Sequence, residues 1–258
     1  MGIRGTTSSG SQVRIATADA CRHATQERCI LATTVESTDD ATLRSMLQEQ
    51  SYNGEKVECL NYALQIAALE GRLSLAALLV TRGADINFEG GLYETALGAA
   101  IFGGHQDMVD WLLQRGAEVD TESPMFCTPL HAAALCGRSG VVLELLKYGA
   151  DVNRPAGMYK TALQVASLEG NKAVVEVLLM RGADVDTQGG IHGNALAAAA
   201  AAVGLHVPSG FPLADADIDL WLHQNKMCLQ TTRFASHSAV ILILLEALRI
   251  ARSKGHFI

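Results

Sequence analysis

The sequence predicts an all-α solenoid of stacked helix–turn–helix units with a 33-residue period, and three observations predict it. The stretch Thr128-Pro129-Leu130-His131-Ala132-Ala133 reads as a helix start. Thr128 is placed to cap the first free amides, and Pro129 sits where a missing N–H costs nothing. Its core returns every 33 residues as Thr95-Ala96-Leu97, Thr161-Ala162-Leu163 and Asn194-Ala195-Leu196. A second motif keeps the same step, as Gly83-Ala84-Asp85, Gly116-Ala117-Glu118, Gly149-Ala150-Asp151 and Gly182-Ala183-Asp184. Third, the leucine of the first motif falls on Leu31, Leu64, Leu97, Leu130, Leu163, Leu196 and Leu229.

Each unit has a physical reading. A first helix starts at the Thr and buries a stripe such as Leu97 and Ala100, at i and i+3. Gly71, Gly104, Gly137 and Gly170 end it where a left-handed backbone is cheap. A second helix carries Val109, Leu112 and Leu113 and closes in Arg82-Gly83, Arg115-Gly116 or Arg181-Gly182, a cation at the negative helix end. An extended Ile86, Val119, Val152 or Val185 leads into a Gly- or Pro-rich turn. One unit alone cannot bury both helices' apolar faces, so stacking stabilises the whole.

Together the two motifs resemble the ankyrin repeat, whose units are 33 residues long and carry a T-P-L-H-x-A signature. Gly90-Gly91-Leu92-Tyr93-Glu94-Thr95-Ala96-Leu97 and Gly189-Gly190-Ile191-His192-Gly193-Asn194-Ala195-Leu196 are similar to the G-G-x-Y-x-x-A-L turn of fungal-type ankyrin repeats. The expected organisation is a disordered lead at 1–25, a degenerate capping repeat at 26–58 and four well-formed repeats at 59–190. Degenerate repeats with an apolar terminal helix follow at 191–258. Pro208, Gly210 and Pro212 spoil the second helix of the fifth well-aligned unit. The grid makes the run 239–251 the second helix of a final unit, with Leu244 in the slot of Leu178.

Composition narrows the partners. Aromatics are only 5% of the chain against 49% hydrophobic residues, which suits small Ala and Leu contacts between helices. The net charge of −7 leaves no basic stripe for a nucleic-acid backbone. The six cysteines (Cys21, Cys29, Cys59, Cys127, Cys136, Cys228) form no C-x-x-C pair or framework spacing, which points to a reducing, intracellular compartment, cytoplasmic or nuclear. Met1-Gly2 matches the short myristoylation pattern, and the sequence leaves lipidation of Gly2 open. The 13-residue run 239–251 contains Glu246 and Arg249 and is too short to span a bilayer. It is expected to pack as a terminal helix, with self-association as the alternative.

No catalytic, cofactor-binding or metal-ligating set emerges, so no enzyme and no cofactor are expected. The resemblance implies that His131 is structural and bonds to the backbone of the neighbouring turn. Gly98, Gln164, Gln65 and Ala197 fill the same slot elsewhere. Gly90-Gly91 and Gly189-Gly190 lack the Lys and Ser/Thr that a phosphate cradle needs.

What the resemblance implies instead is a protein-interaction module that binds a protein partner through a concave groove and turn tips. Carried onto this grid, the turn tips give Leu92, Tyr93, Glu94, Met125, Phe126, Met158, Tyr159 and Lys160. His192 completes the row of rings, which can instead pack on the next turn. The groove row gives Leu69, Phe102, Leu135 and Leu168, bordered by Glu70 and Glu169. A transcriptional co-regulator, or the sensor piece of a larger receptor-like protein, are narrower versions of this expectation.

Overall fold

The computed structural model describes residues 57–91, 93–123, 127–207, 220–225 and 235–253. The expected lead at 1–25, most of the capping repeat at 26–58, the 208–212 breakers and the Leu229 slot lie outside the described residues. The chain divides into two compact units, Met1–Glu118 and Val119–Ile258.

The first unit holds two helix pairs: α1 (Val57–Leu69) with α2 (Leu73–Thr81), and α3 (Ala96–Gly103) with α4 (Gln106–Gln114). First helix packs on first helix (α1 on α3) and second on second (α2 on α4). Helix α1 is longer than its counterparts and starts before the slot where they begin. The reason is local: Tyr62 stands where the others have a capping Thr or Asn, so no side-chain cap stops the helix there.

The second unit holds α5 (Pro129–Leu135) with α6 (Ser139–Lys147), α7 (Ala162–Leu168) with α8 (Lys172–Met180), α9 (Ala195–Ala202) and α10 (Ala235–Ser253). Again α5, α7 and α9 pack in succession, as do α6 and α8. The caps are the ones the motif calls for. Thr95, Thr128 and Thr161 have extended backbones and accept from the N–H of Gly98, His131 and Gln164, and Asn194 does the same for Ala197. The second helices start without a side-chain cap, at Arg72, His105, Arg138 and Asn171. The core is built from the grid leucines and alanines: Leu64, Leu97, Leu130, Leu163 and Leu196 are all buried, as are Ala67, Ala100, Ala133, Ala166 and Ala199.

Helix α10 departs from the expected placement. It is not the second helix of a later unit, because it packs against α9 and α8 and touches α7. Three features identify it as the partner of α9. Val240, Ile241 and Leu244 are buried like Val174, Val175 and Leu178. His237 lies over Gly170 as Asn171 lies over Gly137 and His105 over Gly71. His237 Nε2–H donates to Leu168 O at 3.0 Å, one repeat on from Asn171 Nδ2–H, which donates to Leu135 O at 3.4 Å and to its neighbour Ala134 O at 2.8 Å. The 33-residue phase is therefore kept while a repeat's length of chain is skipped. Within the skipped stretch, 220–225 is helical, with Trp221 buried and its Nε1–H donating to His206 O at 3.2 Å.

Candidate interaction surface

The turns that precede the first helices share one construction. The residue just before each cap has a left-handed backbone: Glu94 (φ 62), Cys127 (φ 61), Lys160 (φ 71) and Gly193 (φ 89). That conformation suits glycine, so the first three carry strain that other contacts must hold. A backbone bond closes each loop, as in Gly90 N–H to Glu94 O at 2.8 Å, Ala156 N–H to Lys160 O at 2.8 Å and Gly189 N–H to Gly193 O at 2.7 Å.

The same carbonyls are gripped from one repeat earlier. Gln65 Nε2 donates to Gly90 O at 2.9 Å and Glu94 O at 3.1 Å. Gln164 Nε2 donates to Thr187 O at 3.0 Å and Gly193 O at 3.2 Å. His131 fills the same place: Thr128 Oγ1–H donates to Nδ1 at 2.8 Å, and Nε2–H reaches Lys160 O at 3.4 Å. Burial pushes the His131 imidazole below its ordinary pKa, with Lys160 O and Glu122 acting the other way. A neutral, buried, doubly bonded imidazole is a strut. Asparagines add a second staple within each unit. Asn87 bonds Gly116 O and the Glu118 N–H, and Asn153 bonds Gly182 O and the Asp184 N–H.

On this scaffold the expected contact residues separate into classes. Tyr93 is 5% exposed and packs on Phe102, with ring centroids 5.3 Å apart. Its ring therefore fixes Phe102, itself half-buried, and offers a partner almost no area. Leu69, Leu135 and Leu168 are half-buried at the ends of their helices, beside exposed Glu70 and Glu169. Partial burial raises the Glu169 carboxyl, with His237 offsetting it, and burial followed by Glu89 raises Glu94. In the second unit Met158 is 62% exposed, and Tyr159 and Lys160 are half-buried. Leu92, Met125 and Phe126 lie outside the described residues.

Sequence reasoning missed Ile191, which is 60% exposed. The signal was present, since Leu92, Met125, Met158 and Ile191 occupy one slot and all are apolar. The structure joins the last two: Ile191 N–H donates to Met158 O at 3.0 Å. Behind them Tyr159 stacks on His192, with centroids 6.5 Å apart and planes 14° from parallel. Also unforeseen was Arg154, which reaches Glu122 at 3.1 Å and Asp120 at 4.0 Å and ties neighbouring turns together.

Little here suits covalent chemistry. Burial is the main cause that raises the thiols of Cys127 and Cys136 above the ordinary range, which disfavours the nucleophilic thiolate. Among the described residues, no group of three or more His, Cys, Asp or Glu is placed to hold a metal ion. No described helix is long and apolar enough to cross a membrane.

A family model of ankyrin repeats, spanning three copies, matches residues 31–123, 64–156 and 124–189. No curated protein matches the chain. Ankyrin repeats are in general protein-interaction modules and typically not enzymes. With the matched residues covering most of the chain, and the capped helix pairs and gripped turns that they encode, the chain belongs to the ankyrin-repeat family.

Proposed function

We propose that this chain is an adaptor or scaffold of the cytoplasm or nucleus that holds a protein partner through its turn tips and the adjoining ends of its first helices. The observation that carries the reading is the pair Met158 and Ile191. Two large apolar side chains, each more than half exposed, stand on adjacent tips joined by a backbone bond. Exposed apolar residues in a connected row mark binding surfaces more often than scattered ones do. Methionine suits such a surface because its side chain adapts its shape. Glu169 and Lys160 supply the polar rim. The acidic net charge favours a protein over a nucleic acid as the partner. Within the second unit, the repeats up to residue 190 form the body of this proposed surface, and Ile191 extends it into the next one.

The test is affinity capture from native extract with the parent chain and a Met158→Ser/Ile191→Ser variant. Both substitutions fall on exposed side chains, so the fold should be unchanged by circular dichroism. A protein retained by the parent and lost by the variant supports the tip surface. Equal retention by both refutes it.

A further inference from the structure

We propose that the tips of the second unit take an acidic, apolar segment of a protein partner: Lys160 binds an Asp or Glu carboxylate, while Met158 and Ile191 seat the apolar side chains beside it. This rests on the tip surface proposed above and names the chemistry which that surface selects. The observation that carries it is a lysine held where glycine is cheaper. Lys160 stands just before the cap Thr161 at φ 71, and the same slot one repeat on is Gly193 at φ 89. A residue with a side chain is strained at that angle. Two bonds to the Lys160 carbonyl hold it there, from Ala156 N–H at 2.8 Å and from His131 Nε2–H at 3.4 Å. A backbone pinned in this way also fixes where the side chain leaves the turn.

The side chain runs onto the neighbouring tip. Lys160 Cδ and Cε pass 3.4 and 3.7 Å from where a Cβ on Gly189 would stand. The bare backbone of Gly189 leaves room for this stem, which lies on the loop that carries Ile191. Among the described residues no carboxylate pairs with the Lys160 ammonium, whereas those of the adjoining turns are engaged within the chain. Glu122 and Asp120 face Arg154, Asp184 holds Thr187 and the Asp186 N–H, and Asp186 accepts from Gln188 Nε2. A cation on a stiff base, beside two exposed apolar side chains, is complementary to a carboxylate that flanks an apolar residue. The net charge of −7 does not oppose this, because charges farther off than about 8 Å are largely screened at physiological salt while the Lys160 contact is direct.

The experiment measures binding of the tagged full chain to an array of short synthetic peptides. Their centres carry every pairing of Leu, Ile, Val, Met and Phe, and their flanks are Glu, Gln or Lys. The parent should favour Glu flanks over Gln flanks around the same centre by ~3- to 10-fold, and added salt should narrow the gap. Lys160→Gln and Lys160→Gly should both erase the preference. The glycine variant relieves the strain, so it should melt no lower than the parent. A preference that survives either substitution overturns the proposal. So does a parent that binds all flanks alike or retains no peptide. Met158→Ser/Ile191→Ser separates the two readings: binding equal to the parent's refutes the tip surface itself. Binding lost in that variant but indifferent to the flanks refutes only the acidic partner.

Discussion

Replacing Leu130 by alanine tests whether the repeat grid does the structural work assigned to it. Leu130 is 1% exposed, on the helix that Thr128 caps and against the buried Ala133 row. The change deletes three carbons, worth about 2.4 kcal/mol of lost transfer free energy at ~0.8 kcal/mol each. A cavity term follows, because packed helices relax only in part. The expected total is about 3–4 kcal/mol, within the range for buried leucines. Urea unfolding followed at 222 nm is the assay. With an m-value of about 2.5 kcal/mol/M, the midpoint should fall by more than about 1 M. Met158→Ala, on an exposed side chain, is the control and should stay within about 0.5 kcal/mol of the parent. A loss below about 0.5 kcal/mol for Leu130→Ala would refute the reasoning, since a grid leucine would then not be holding the stack.

His131 should make stability depend on acidity. Its folded pKa lies below the ordinary 6.5 because it is buried, so the unfolded chain takes up the proton first as the pH falls. The stabilisation is complete above about 6.5 and is lost as the pH drops through the folded value. His131→Gln, copying Gln164, should flatten that part of the pH–stability curve, and an unchanged slope would mean that another group titrates there. Gly98→Ala tests a sign. Alanine normally favours a helix by about 0.5–1 kcal/mol over glycine, but here a Cβ would strike the Tyr93 carbonyl oxygen. The expected effect is a loss of about 1–3 kcal/mol, and a rise in melting temperature would show that the Tyr93 turn gives way freely.

Much of this fold was legible because it is periodic. A leucine or alanine at a fixed step has one environment, so the buried slots and the Thr caps could be written down in advance. Phase, however, counts residues and not places in space. Leu244 sits on the grid whether α10 follows one repeat or two, and only packing against α8 and α9 shows which. The start of α1 is not legible for a related reason: a tyrosine at the cap slot removes a stop signal, and the sequence does not say how far the helix then runs. At the surface, Tyr93 and Met158 look alike as apolar turn residues. What separates them is the presence of Phe102 under the Tyr93 ring, and that contact depends on the fold. Ile191 belongs to a row, with Leu92, Met125 and Met158, whose apolar character is plain in the sequence.

The grip on the turn carbonyls of Glu94, Lys160 and Gly193 has a consequence for how tightly a partner is held. A loop that must order itself on binding charges that lost freedom against the affinity, about 0.5–1.5 kcal/mol for each side chain immobilised and more for backbone. Here the ordering is completed during folding, by side chains on the preceding repeat. On the proposed tip surface, contact and rigidity therefore fall to different residues: the tips meet the partner, and Gln65, His131 and Gln164 keep those tips ordered. On such a proposed surface, the amino acids that govern residence time need never touch what is bound.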